Sequence, residues 1–394
     1  VDPFLARRLR TSPALEIVVA DRLTPEERRA LGATSASPDL FGLLRAVRST
    51  SMPVAARVID RDTALLLYTL REPGPLPDFA RRLLGRDAAR TVARWVADGV
   101  LEIEVEGSFL AGPAALASTP LSHLESAPSG AIPRLTAAAL GSAACLETFD
   151  VERLAFHLYA ANRRPLDAAW RRRLPDAEAI LAALGLASGG PLHGELVAEW
   201  APSRRTGRWL HWRSRGNSPA PPPEAAVFKL YLSPTPEALL AGFVPFLSAL
   251  RDCGAFEIKL GADAAGLLRP DKLVAYFADF DRLADAALHA AETLAGLPAE
   301  AAQGVPLTAP IDAAGLLSWG LDPAAGDWGS PGDGESWRFW VARLLARALL
   351  AAREAGLGGE DACAHAWRRA ELEGIDVASW APSGALRRAM GVTE

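Results

Sequence analysis

The spacing of apolar residues changes period several times along the chain, and each change marks an element. "DRDTALLLYTL" (Asp60 to Leu70) has apolar residues at helical spacing. "LPDFARRLL" predicts a second short helix after a Pro-rich turn. "DAARTVARWVADGVLEIEV" (Asp87 to Val105) predicts a third helix, closed by Gly99, and then a strand. "GSF" turns the chain back towards a second strand. Three helices and a two-stranded wing are the order of a winged helix, so residues 1–117 read as a winged-helix-like domain.

Residues 118–133 are rich in Ser, Pro and Ala and read as a linker. Residues 134–224 read as a helical region, with helices over Arg134 to Ala144, "DVERLAFHLYAANRRPL" and "DAEAILAALGL". Two antiparallel strands follow, over Glu195–Trp200 and Arg208–Arg213. From residue 225 to 394 the pattern is mixed. Strands are expected over 227–232, 255–260 and 271–277, alternating with helices over 236–252 and 279–296. A Gly/Asp-rich loop (Ala324 to Gly334) leads to a helix N-capped by Ser336, and a last helix covers about 360–374. The fold class is α+β.

Composition narrows the function. Of 394 residues, 50% are apolar and 23% charged, an ordinary globular balance. A net charge of −5 argues against a general nucleic-acid binder. No run of 18 apolar residues suggests a membrane span. The start, "VDPFLARRLR", lacks an apolar signal core. Three scattered cysteines fit a reduced, cytoplasmic protein, and the scattered histidines give no metal spacing. "GADAAG" and "GDWGSPGDG" lack the Lys-Ser/Thr of a phosphate loop. The basic stretch His157 to Arg173 is either an RNA-binding stripe or a solvated helix face. "GRWLHWRSR" is either a peptide-binding arm or a packed strand.

Two strands carry a lysine inside an apolar alternation, Lys229 in "VFKLYLSP" and Lys259 in "FEIKLGADAAGLLRPDKLVAYF". A desolvated ammonium is costly unless paired. Either each side chain snorkels to water, or both point into one cleft. Arg269 and Lys272 enter the next strand, and Arg338 and Arg343 lie in the first turns of the Ser336-capped helix. Two lysines, one or two arginines and a helix start suit a phosphate group. A lysine lowered in pKa by neighbouring cations can serve as a base.

The order "VFKLYL…FEIKL…RPDKLVAYF…GLLSWGLDP…SWRFWVARLLARAL…EGIDVASWAPS" resembles the HopA-type effector family and the lyase components of class V lanthipeptide synthetases. The resemblance covers roughly residues 225 to 383. These proteins are similar to phosphothreonine lyases, which remove phosphate by β-elimination. The resemblance implies Lys259 as the base and Lys229 as the group polarising the substrate carbonyl or phosphate. It implies Tyr231 in a place where simpler lyases have a histidine acid. It also implies Arg269 or Lys272, with Arg338 or Arg343, as phosphate ligands. The tyrosine leaves two readings open: a phenol acid, or a copy that binds peptide without turning it over. No cofactor is implied, and a separate kinase must supply the phosphate because no kinase motif is present. The alternatives are a non-catalytic peptide-binding scaffold subunit and a HopA-like effector.

The segment Asp60 to Val105 resembles the PqqD-type recognition element, which binds a leader peptide by strand addition. Leader recognition, a plain structural unit and DNA binding are the readings of this domain. The acidic wing "LEIEVEGSF" opposes the last of these. For leader recognition, the strand Leu101–Val105 is expected to belong to a small sheet with an open edge, next to the helix around Arg90–Ala97.

Overall fold

The computed structural model describes residues 3–31, 38–47, 56–116, 129–216, 218–222, 225–251, 253–322, 336–390 and 392. It is a mixed α+β structure that divides into two compact units. One comprises Val1–His123 with Ala351–Glu373, the other Leu124–Leu350 with Gly374–Glu394. The expected linker lies mostly, and the Gly/Asp-rich loop entirely, outside the described residues.

The first unit holds strands β1 (Leu9–Thr11), β2 (Leu15–Val19), β3 (Leu40–Ala46), β4 (Arg57–Asp60), β5 (Leu101–Val105) and β6 (Ser108–Leu110). They form two antiparallel sheets, β2-β3-β4 and β1-β5-β6. Between β4 and β5 come helices Arg61–Thr69, Asp78–Leu84 and Ala88–Ala97. The first begins where Asp60 accepts the Thr63 N–H at 2.7 Å, which satisfies a donor the helix cannot. The third ends before Gly99, whose φ of +73° suits a residue without Cβ. Leu66, Leu67, Val92, Val96, Leu101 and Ile103 pack into one core. Helix Gly359–Leu372 belongs to this unit, and its Arg369 pairs with Asp98 at 2.5 Å and Glu373 at 2.6 Å.

Leu101–Val105 lies in a small three-stranded sheet whose outer strands are β1 and β6. That strand is the centre of its sheet: Ile103 faces Leu9 on one side and Leu110 on the other. Its backbone donors and acceptors are therefore already used in the ladder, and an added strand cannot pair with it.

The second unit is built on a seven-stranded antiparallel sheet. Its strands are β7 (Trp200–Thr206), β8 (Trp209–Ser214), β9 (Val227–Leu232), β10 (Glu257–Gly261), β11 (Leu273–Phe277), β12 (Ala309–Pro310) and β13 (Leu317–Asp322). They lie in the order β12-β13-β9-β11-β10-β8-β7. A small ribbon of β14 (Ile375–Asp376) and β15 (Ala381–Pro382) stands apart from this sheet. The residues 195–200 expected as a strand are mostly helix, His193–Glu199. Leu192, Leu196 and Trp200 recur every fourth position there, a helical period that places Leu196 and Trp200 in the interior.

Alternation along β9 decides where the lysines point. Phe228, Leu230 and Leu232 face helices Leu239–Ala249 and Phe280–Leu294; the Phe228 and Phe280 rings are 5.8 Å apart. Val227, Lys229 and Tyr231 therefore take the other face. The same alternation puts Val274 and Tyr276 of β11, Glu257 and Lys259 of β10, and His211 of β8 on that face, because they are register partners of one another. Helix Trp337–Glu354 begins on this side, with Trp337 packed over Gly320 of β13.

The end of β10 is fixed by backbone contact. A Cβ on Gly261 would lie 2.5 Å from the Gly266 carbonyl carbon, and backbone cannot rotate away as a side chain can. We expect Gly261→Ala to destabilise the fold by about 1–3 kcal/mol, read as a lowered thermal melt. An unchanged melt would show that this approach is not needed to hold the strand.

Candidate active site

On the face not covered by the two helices, the sheet registers two rows of side chains. One row runs Gly320, Lys229, Tyr276, Glu257, Arg213, and the next Ser318, Tyr231, Val274, Lys259, His211. Lys229 and Lys259 thus stand on either side of Tyr276. Their Nζ atoms are 5.1 and 5.4 Å from its ring centroid. Trp209 forms the other wall of the Lys259 slot, 4.4 Å from Nζ.

The two lysines differ in what they hold. Lys229 is buried and ion-paired with Asp322 at the end of β13. The second oxygen of Asp322 accepts the Trp337 backbone N–H at 2.8 Å, so this carboxylate also caps the helix. Lys259 is only half-buried, and among the described residues its amine makes no hydrogen bond or ion pair. Glu257, two residues earlier on the same face, is engaged by His211 at 2.7 Å, and His211 in turn by Thr206 at 2.8 Å. Burial first, and then the Lys229 charge, bring the Lys259 pKa down to about 7.

Around this slot stands a layer of two arginines on one carboxylate. Asp271 accepts both Nε and Nη2 of Arg269, at 2.7 and 2.8 Å, and Nη1 of Arg338 at 2.8 Å. Burial alone would raise the Asp271 pKa; the Arg338 and Arg269 charges outweigh it and hold the carboxylate far below its usual range. Tyr159 accepts a hydrogen bond from Arg269 at 2.7 Å. Arg338 spends its remaining groups on the Pro306 and Tyr159 carbonyls, at 3.0 and 2.9 Å. With 1% of it exposed, Arg338 braces Asp271. Arg269 lies 5.0 Å from the Trp209 ring that also contacts Lys259, so it borders the slot.

Of the other residues expected at the site, Lys272 and Arg343 turn away from it, while Tyr231 stays on the same face. Lys272 is buried and donates to the Pro234 carbonyl at 2.5 Å and to Gln303 Oε1 at 2.6 Å. Arg343 pairs with Glu152 at 3.1 Å and lies over the Phe339 ring. Tyr231 is buried against Val274 and Val305. Burial, and then the Asp322 charge, push its pKa well above 10. Tyr276 is raised for the same two reasons.

Sequence reasoning missed Tyr276, Trp209, Tyr159, Asp271 and Asp322. It also passed over a signal in plain view. Of the 42 Lys and Arg residues only three are lysines, Lys229, Lys259 and Lys272. All three lie on adjacent strands of one sheet or directly before one. Elsewhere the chain meets every need for a cation with arginine, which stays protonated. Lysine is the cation that can give its proton up.

No family model matches the chain, and no curated protein matches it. Among solved structures, it is similar to the effector protein from Pseudomonas syringae pv. tomato strain DC3000, at 12% identity and a TM-score of 0.40. That alignment covers 64% of this chain and 97% of that one. The effector protein from Pseudomonas syringae pv. syringae strain 61 aligns at 16% identity and a TM-score of 0.35, over 64% and 98%. The likeness to bacterial effector proteins is weak.

The lowered lysines set a pH dependence of stability. Lys259 and Lys272, each at about 7 in the fold, return to about 10.4 on unfolding. Between those values the unfolded chain binds more protons, so stability rises with pH. We expect the thermal melt to climb from pH 7 to about 9, and to climb less in Lys259→Met. A melt of the variant that tracks the wild type across this range would mean that Lys259 titrates normally.

Proposed function

We propose that this protein is a lyase that eliminates phosphate from phosphoserine or phosphothreonine in a peptide, leaving dehydroalanine or dehydrobutyrine. The observation that carries this reading is the Lys259 amine, half-buried between Trp209 and Tyr276 without a counter-ion among the described residues, a setting that lowers its pKa to about 7. A neutral amine takes the α-proton; the Cα–H electrons form the Cα=Cβ bond, and the Cβ–O bond breaks to release phosphate. Lys259 then returns its proton to solvent. Lys229 and Arg269 are the cations that border the slot and offset the phosphate charge, with Arg338 holding Asp271 and thereby Arg269 in place. Tyr231 and Tyr276 supply phenol hydroxyls on the same face. Since burial makes Tyr231 a weaker acid than a free phenol, departure of phosphate rests more on the cations than on that proton. No step needs a cofactor. A kinase acting beforehand supplies the phosphorylated peptide. In this reading the first unit recognises the precursor peptide, and strand addition would use an outer strand of a sheet there rather than β5.

The test is phosphate release from a phosphopeptide, with circular dichroism to confirm folding. Lys259→Ala should lower the rate by about 100- to 10,000-fold, the usual loss for a general base. Lys259→Arg should not restore it, because a guanidinium does not give up its proton. Tyr231→Phe should cost less than Lys259→Ala. A precursor with its leader segment should show a lower KM than the short phosphopeptide; equal values would remove the recognition role. Full activity in folded Lys259→Ala would overturn the assignment of the base. A wild-type protein inactive on every phosphopeptide would favour a peptide-binding scaffold.

A further inference from the structure

The same arrangement supports a second chemistry, independent of phosphate elimination. A base that is an uncharged amine is also a nucleophile. Lysines used to form imines with carbonyl compounds share two properties: desolvation in an apolar slot, and a second cation nearby. Lys259 has both. Trp209 and Tyr276 wall its amine at 4.4 and 5.4 Å, and Lys229 stands on the far side of Tyr276. The other two lysines are not available in this way. Lys229 is buried on Asp322, and Lys272 is buried on two oxygen acceptors. The chain thus offers one reachable ε-amine, in a sequence that uses arginine for nearly every other cation.

We infer that Lys259 forms an imine with a small 2-oxo acid, its carbonyl carbon on the amine and its carboxylate on Arg269. The carboxylate follows from the surroundings. Arg269 shares the Trp209 wall with Lys259, and Arg163 is close enough to Arg269 that, after burial, this like charge lowers its own pKa. Asp271 is shared between Arg269 and Arg338, so this group keeps a net positive charge that a carboxylate offsets and a neutral ketone does not. In the step, Nζ attacks the carbonyl carbon and a carbinolamine forms. Its formation moves one amine proton to the oxygen; the hydroxyl then takes a second proton and leaves as water, while nitrogen releases its remaining hydrogen and becomes C=N. The Tyr276 ring packs against the amine, and solvent gives one proton and takes up the other.

The test uses the full chain with pyruvate and sodium cyanoborohydride, read by intact mass and peptide mapping. We expect one reduced adduct, on Lys259, saturating with pyruvate and forming about tenfold or more faster at pH 7 than at Lys229 or Lys272. Acetone should label the same residue more slowly. The rate should reach half its maximum near pH 7, and Lys229→Gln should move that midpoint upward. If Lys229→Gln fails to fold by circular dichroism, the wild-type midpoint alone decides. Lys259→Arg should take up no adduct at an ε-amine. Labelling shared among the three lysines, or absent from Lys259, or rising only above pH 9, would overturn the inference. Equal rates with acetone would remove the carboxylate-binding role of Arg269. The phosphopeptide assay is separate: an elimination-active protein that forms no adduct would contradict the imine alone.

Discussion

A cationic amine without a counter-charge, facing a second cation from within an apolar slot, is the least stable arrangement this sheet could present, and the site is organised around its relief. Proton loss at Lys259 removes the repulsion with Lys229 and the cost of desolvating an ammonium. That same loss creates a base and nucleophile near neutral pH. Structure and chemistry meet in one proton.

The carboxylates show why Lys229 does not share this route with Lys259. Asp322 pairs with Lys229, and Asp271 is shared by the two arginines it bridges. A buried carboxylate between two guanidinium groups is strongly held as an anion, so the arginine layer keeps its geometry over a wide pH range. Among the described residues, Lys259 is left without a carboxylate partner. Its walls are aromatic, which tolerate either protonation state: a ring face attracts the ammonium and offers an apolar surface to the amine.

Much of the sheet was legible from alternation. "VFKLYL", "FEIKLG" and "KLVAYF" form β9, β10 and β11, and their shared period put Lys229 and Lys259 on one face. Position along a strand says nothing about partners contributed from far away. Tyr159 reaches Arg269 across 110 residues, and Arg338 reaches Asp271 across 67. Lys272 has the same spacing as the site lysines, yet its amine is captured by Pro234 and Gln303. Arg343 lies one helical turn and a fraction beyond Arg338, enough to turn it from Asp271 towards Glu152. Strands β1 to β4 escaped because their short apolar runs are interrupted by charges that pair across the sheet, as Arg45 does with Glu16. The central place of β5 depends on β1, ninety residues earlier in the chain, so its lack of a free edge was not readable from its own sequence.

The central claim is the charge state of Lys259, and the scarcity of lysine makes it directly measurable. Incorporating lysine labelled with carbon-13 at Cε gives three side-chain signals from the whole chain. Loss of one signal in Lys259→Arg assigns it. The account predicts that the assigned resonance titrates at about 7, and that replacing Lys229 with glutamine moves this value upward. A Lys259 resonance that titrates near 10.4, as in an unperturbed lysine, with no response at Lys229, would contradict it.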